Sequence, residues 1–239
     1  MAVPPKPLKE MMAECTERTI REFPFENQLS RNMEGLYIQL FELTSQNPLR
    51  DYRQLAAFTL ATRNFRFLQC VGDNIFDGYY EIGMANLRNV YENDLLATYL
   101  LRDEGESKRW WTGKYFGQKY LRAKIGHSDK MYSFLSDIFA HPNSVKSITP
   151  LLGKIDERIV SLKLYPEFDP KRCWEALQFY LMAKWTSILE FQYAFREVLW
   201  KNEKWKSDFI GWNEIVMKYV QEKIIKKSSM KFEFKDKLP

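Results

Sequence analysis

Glycine and proline are scarce, ten of each in 239 residues, which argues against a turn-dense β-sandwich or a collagen-like repeat. Cysteine is scarcer still. Cys15, Cys70 and Cys173 are scattered, and three such residues build neither a disulfide framework nor a CxxC zinc site. Only two histidines, His127 and His141, are present, so general acid–base chemistry has few candidates. The longest apolar run, 95–101, falls far short of a membrane span. No secretory h-region opens the sequence, so the expected setting is the reducing cytoplasm without a membrane. There is no Walker A loop, GxGxxG, HExxH, Glu-x-x-His pair or Gly-x-Ser-x-Gly elbow, and no metal or cofactor is expected.

What is abundant is aromatic and apolar residues, 15% and 45% of the chain. A solvated, disordered chain does not carry that load. The length suits one domain over 1–239, able to bury ~70–75% of its unfolded surface. Apolar residues recur at helical spacing through 8–23, 33–46, 51–76, 79–103, 108–124, 130–140, 144–164, 172–200 and 205–227. Residues 1–7, with three prolines, read as a flexible arm, and 228–239 as a basic tail. Only 230–235 in that tail alternates like a strand. The fold expected is an all-α multi-helix bundle with a long central helix and no significant sheet.

At 100° per residue, the apolar side chains of 51–76 cover a very wide arc, and Asn64 falls inside it. Segment 172–200 has almost no polar face, as suits a central helix or one half-covered by a second subunit. Segment 79–103 mixes its faces more. Asn86, Asn89 and Asn93 lie on its water-facing side, while Glu81, Arg88 and Glu92 fall within its apolar arc. Arg88 and Glu92 are four apart and can pair along one face. Buried, such a pair fixes helix register or forms a polar site inside the bundle, and removing one partner costs ~3–5 kcal/mol. His141 follows 130–140, where Tyr132 and Ser136 lie one turn apart, and all three can join this polar cluster or simply cap the helix.

Segment 108–124 carries six basic residues and no acid, interleaved with Trp110, Trp111, Tyr115, Phe116 and Tyr120. Read as one helix, it places Lys108, Tyr115, Lys119 and Arg122 on a narrow outward stripe. That stripe is either simply solvated or a weak single-strand RNA surface, and a net charge of +5 permits weak attraction to nucleic acid.

The motifs Gly78-Tyr79-Tyr80, Leu87-Arg88-Asn89-Val90-Tyr91-Glu92, Trp110, Tyr132-Ser133-Phe134-Leu135-Ser136 and His141-Pro142 resemble a prokaryotic helical family of unknown function, loosely HEPN-like. The resemblance covers Gly78 to Pro142, about a quarter of the chain. It implies that Arg88, Glu92, Tyr132, Ser136 and His141 converge between helices, and that the chain forms a homodimer. Arg122 and His127 fit the Arg-x4-His spacing of HEPN-type ribonucleases, with Ala123 where a polar residue often follows the arginine. Two functions follow as expectations. One is a non-catalytic binding or regulatory module for a protein partner, in a defence or stress system. The other is a metal-independent ribonuclease, with Arg122 and His127 as its catalytic candidates, or an RNA-binding protein.

Overall fold

Four helices start where a short polar side chain caps the first free amides. The carboxylates of Asp51, Asp103 and Asp169 and the amide oxygen of Asn202 accept backbone N–H bonds from Gln54, Glu106, Lys171 with Arg172, and Trp205. The computed structural model describes residues 6–126, 152–154, 160–162 and 165–225. Within them the chain runs through α1 (Leu8–Glu22), α2 (Pro24–Ser45), α3 (Tyr52–Phe76), α4 (Tyr80–Leu100), α5 (Glu104–Trp111), α6 (Gln118–Ile125), α7 (Pro170–Ala194), α8 (Arg196–Leu199) and α9 (Glu203–Tyr219). Residues Val220–Ile225 extend α9 as a π-helical turn.

The all-α bundle stands, and four boundaries differ from the sequence reading. Pro24 opens α2 rather than separating two helices nine residues apart; at the first helical position its missing N–H removes no bond. Segment 108–124 is two helices, broken after Trp111, with Gly113 at φ 102°. Segment 172–200 starts at Pro170 and breaks at Phe195 into α7 and α8. Inside 144–164, Leu152–Lys154 and Val160–Leu162 pair as an antiparallel two-stranded ribbon, β1 and β2, where a helix was expected. The expected helix 130–140 and the tail 228–239 lie outside the described residues.

Helix α7 is the central element and packs against α2, α3 and α4. Its Leu177, Leu181, Trp185, Ile188 and Phe191 are buried. They meet Met33 and Leu40 of α2, Leu60 and Leu68 of α3, and Leu87 and Val90 of α4 in one continuous core. A buried, nearly all-apolar α7 is therefore explained within a single copy of the chain.

Helices α3 and α4 approach closely because Gly83 has no side chain. A Cβ there would sit 2.8 Å from Cγ1 of Ile75 and 3.3 Å from the carbonyl oxygen of Val71. Gly83→Ala is expected to lose ~1–3 kcal/mol through overpacking, which exceeds the ~0.5–1 kcal/mol gained in helix propensity. Gly35 of α2 has nothing within 4 Å of the same position. Gly35→Ala is therefore expected to gain ~0.5–1 kcal/mol. Urea unfolding of the two variants side by side checks both signs.

Candidate functional site

Two polar assemblies stand out, one sealed in the core and one at the surface. The inner one is centred on Asn64 of α3, which has no exposed surface. Its Nδ2 donates to Oδ1 of Asp94 at 2.6 Å and to Oγ of Ser187 at 3.0 Å, and its Oδ1 accepts from Nδ2 of Asn93 at 2.7 Å. Ser187 also lies 3.0 Å from the Tyr37 hydroxyl, which donates to the Ala61 carbonyl at 3.2 Å. Helices α2, α3, α4 and α7 each supply at least one member. A buried amide needs such partners, because each one missing costs ~1–3 kcal/mol.

The network reaches outward through Thr98 and the part-buried Glu190. Thr98 Oγ1 bonds both the backbone carbonyl of Asp94 and the Glu190 carboxyl. Burial pushes the Glu190 carboxyl up to about 7 against the opposing pull of the Thr98 bond and the Arg102 charge. Burial also raises the Asp94 carboxyl well above its ordinary range, and the Glu190 charge adds to that. A second buried group lies nearby in α2 and α7. Lys184, 1% exposed, donates to the Tyr180 hydroxyl at 3.0 Å and to Ser30 Oγ at 3.2 Å, with a Glu34 oxygen at 3.7 Å.

The expected cluster on α4 is only partly assembled among the described residues. Arg88 Nε donates to Glu92 at 2.8 Å, as the spacing required. Both side chains keep 24% of their surface, so the pair is half-buried rather than fully buried. An orphaned Glu92 would still reach water, and Arg88→Ala is expected to cost less than a sealed pair would. Glu81 does not join Arg88 and Glu92 but pairs with Arg172 at the start of α7, whose guanidinium also covers the Tyr80 ring. Asn93, expected on the wet side, is 5% exposed and belongs to the core network. Tyr132, Ser136, His141 and His127 lie outside the described residues. Arg122 is part-buried on α6.

The surface assembly is the corner made by α5, the link after it and α6. Tyr115 sits in the link with 83% of its surface exposed, and Trp111 and Tyr120 keep 48% and 43%. Lys108, Lys119 and Lys124 are exposed as well. Because the helix breaks, Lys108 stands on α5, Tyr115 between the helices, and Lys119 with Arg122 on α6, so the single stripe expected from the sequence does not form. The corner is nonetheless fixed. Phe116 and Leu121 are buried, the Tyr99 ring of α4 lies 5.3 Å from Phe116, and the Tyr99 and Tyr120 hydroxyls are 3.1 Å apart. Glu106 partly offsets the charge by pairing with Arg109 at 2.6 Å and Lys114 at 3.8 Å.

The cysteines are free thiols: Cys15 and Cys173 are buried and Cys70 is exposed. Burial raises Cys15, and pushes Cys173 up to about 11. No group of three or more potential metal ligands occurs among the described residues. No described helix is long and apolar enough to cross a membrane. The chain matches none of the family models, curated proteins or solved structures with which it was compared.

Proposed function

We propose that this chain is a non-catalytic helical binding module that engages its partner through the α5–α6 corner. The observation that supports this most is the division of its polar side chains. The hydrogen-bonded cluster of Asn64, Asn93, Asp94 and Ser187 is sealed inside, and the α5–α6 corner presents a fixed ledge of rings and lysines to solvent. Rigid aromatic side chains provide contact area at low entropic cost, as binding surfaces require. A protein partner in a defence or stress system, and a homodimeric form, accord with the HEPN-like resemblance.

A single-stranded RNA ligand is the second reading, favoured by Tyr115 standing free between cations on α5 and α6. Stacking on Tyr115 and phosphate contacts from Lys108, Lys119 and Arg122 would produce binding that falls with salt. Three contacts give a log–log slope of about −2 for a single strand. Lys119→Ala is expected to reduce that slope by roughly 0.7, while Tyr115→Ala costs ~1–3 kcal/mol and leaves the slope unchanged, since stacking releases no counterions. Fluorescence anisotropy on mixed-sequence RNA across a salt series measures both, with cleavage scored in the same samples. Cleavage abolished by His127→Ala would replace the module with the metal-independent ribonuclease. No binding at low salt removes RNA and leaves the protein partner.

A further inference from the structure

Along the outer face of α3 runs a groove of about 530 Å³, and among the described residues all that line it belong to that one helix. They fall on two adjacent rows in which residues recur every four positions. Phe58, Thr62, Arg66 and Cys70 form one row, and Thr59, Arg63 and Phe67 form the other. The channel between two such rows is where a ridge of a second helix packs, at a crossing angle of about 50°. From Phe58 to Cys70 it extends about 18 Å at 1.5 Å per residue, slightly more than three turns. A small-molecule pocket closes around its ligand, whereas this groove is an open trough.

The floor of the trough asks nothing polar of an occupant. The Thr59 and Thr62 hydroxyls donate to carbonyls of their own helix, those of Leu55 and Phe58, both at 2.9 Å. Phe58 and Phe67 are half-buried and supply apolar surface. The arginines are different. Arg63 and Arg66 are exposed, one on each row, and neither has an ion-pair partner among the described residues. The Arg63 guanidinium lies 5.5 Å from the centre of the Phe67 ring, which holds it along the wall. Helix α3 bears no acid between Asp51, which pairs with Arg53, and Asp73. Apolar flanks thus stand beside two unpaired cations on opposite sides of one axis.

We propose that this groove is a docking site for an acidic amphipathic helix of a partner protein, about three turns long. An apolar ridge of that helix lies between the two rows, and carboxylates on either side of the ridge meet Arg63 and Arg66. The guanidinium fork suits a carboxylate, which it can hold through two parallel bonds. RNA suits the groove less well. Phe58 is edge-on to Phe41 at 5.7 Å and to Phe195 at 6.4 Å, and Arg63 covers the Phe67 ring. Neither ring stands free for a base as Tyr115 does. The groove shares no residue with the α5–α6 corner and does not depend on the reading given for it.

Cys70 makes the groove its own reporter, because it is exposed while Cys15 and Cys173 are buried. The probes are two helical peptides of about fifteen residues with leucines at every fourth position. One carries glutamates on both flanks of the leucine ridge, and the other carries lysines there. At about ten times its Kd, the glutamate peptide is expected to slow alkylation of Cys70 in the full chain about tenfold by mass action, and the lysine peptide not at all. Arg63→Glu with Arg66→Glu is expected to reverse that preference, while Tyr115→Ala leaves it unchanged. Equal protection by both peptides, or protection by neither, would overturn the proposal, as would a preference that survives the charge reversal. Protection by mixed-sequence RNA in place of the glutamate peptide would overturn it in favour of nucleic acid. Should the reversed variant fail to fold, the two peptides on the wild-type chain decide alone. Labelling of Cys70 reads the groove and the RNA salt series reads the corner, so the two sites are tested independently.

Discussion

Replacing Asn64 by leucine is expected to destabilise the protein by ~3–5 kcal/mol, with a melting temperature lower by roughly 6–20 °C. Leucine is close to asparagine in size, so the loss does not come from a cavity. It comes from the three bonds Asn64 makes: to Asp94 at 2.6 Å, to Ser187 at 3.0 Å and from Asn93 at 2.7 Å. All three partners are buried. Each is left short of a hydrogen bond in a place water does not reach, at ~1–3 kcal/mol apiece. The leucine returns part of this, ~1.5–3 kcal/mol, by burying apolar surface. Thermal and urea unfolding measure the difference. A loss under ~1 kcal/mol would show that the network is wet and replaceable rather than sealed.

Trp205→Ala is expected to cost a similar ~3–5 kcal/mol, by a different route and in a different place. Trp205 has no exposed surface. Its ring stacks on Phe209 at 5.0 Å and 11°, and Phe209 stacks on Trp185 of α7 at 5.5 Å and 17°. This ladder ties the front of α9 to the bundle, while the back is tied through Tyr219, which donates to Glu26 at 2.9 Å and stacks on Phe25 at 5.4 Å. Removing the first rung should free one end of α9 before α3 and α4 loosen. Hydrogen exchange should show early loss of protection confined to α9, ahead of global unfolding. Trp205→Phe should be milder, since the Trp205 indole N–H has no partner to lose among the described residues. Equal losses of protection in α3 and α9 would mean that α9 is not a separable unit.

Most helices could be read from the sequence because apolar spacing and polar caps act locally. Asp51 caps α3 through a bond to the Gln54 amide whatever surrounds it, whereas Asp169 caps α7 so that it starts two residues before the position that apolar spacing suggested. Asn64 also announced itself, as a polar residue within an apolar arc. Asn93 did not. A wheel assigns one wet side to each helix, and α4 is covered on most of its circumference, so a residue grouped with Asn86 and Asn89 turned out to face α3. The break after Trp111 was hidden because six basic and several aromatic residues keep helical spacing through it. The decisive signal was Gly113, whose left-handed backbone other residues rarely adopt. Glu81 was grouped with Arg88 and Glu92 on spacing alone. Its partner Arg172 is ninety-one positions away in sequence, and no periodicity reports a contact made by tertiary packing.

The three thiols give the molecule an internal clock. Cys70 faces solvent on α3, Cys15 lies on the buried face of α1, and Cys173 sits in the first turn of α7, its sulfur 3.6 Å from the Thr19 hydroxyl. A thiol reagent therefore meets one site in the native state and two that wait for α1 to lift from the bundle. Those two are further slowed by the rarity of their thiolate forms. The order in which label arrives at them distinguishes peeling of the first helix from collapse of the whole core, and it does so in the unaltered chain.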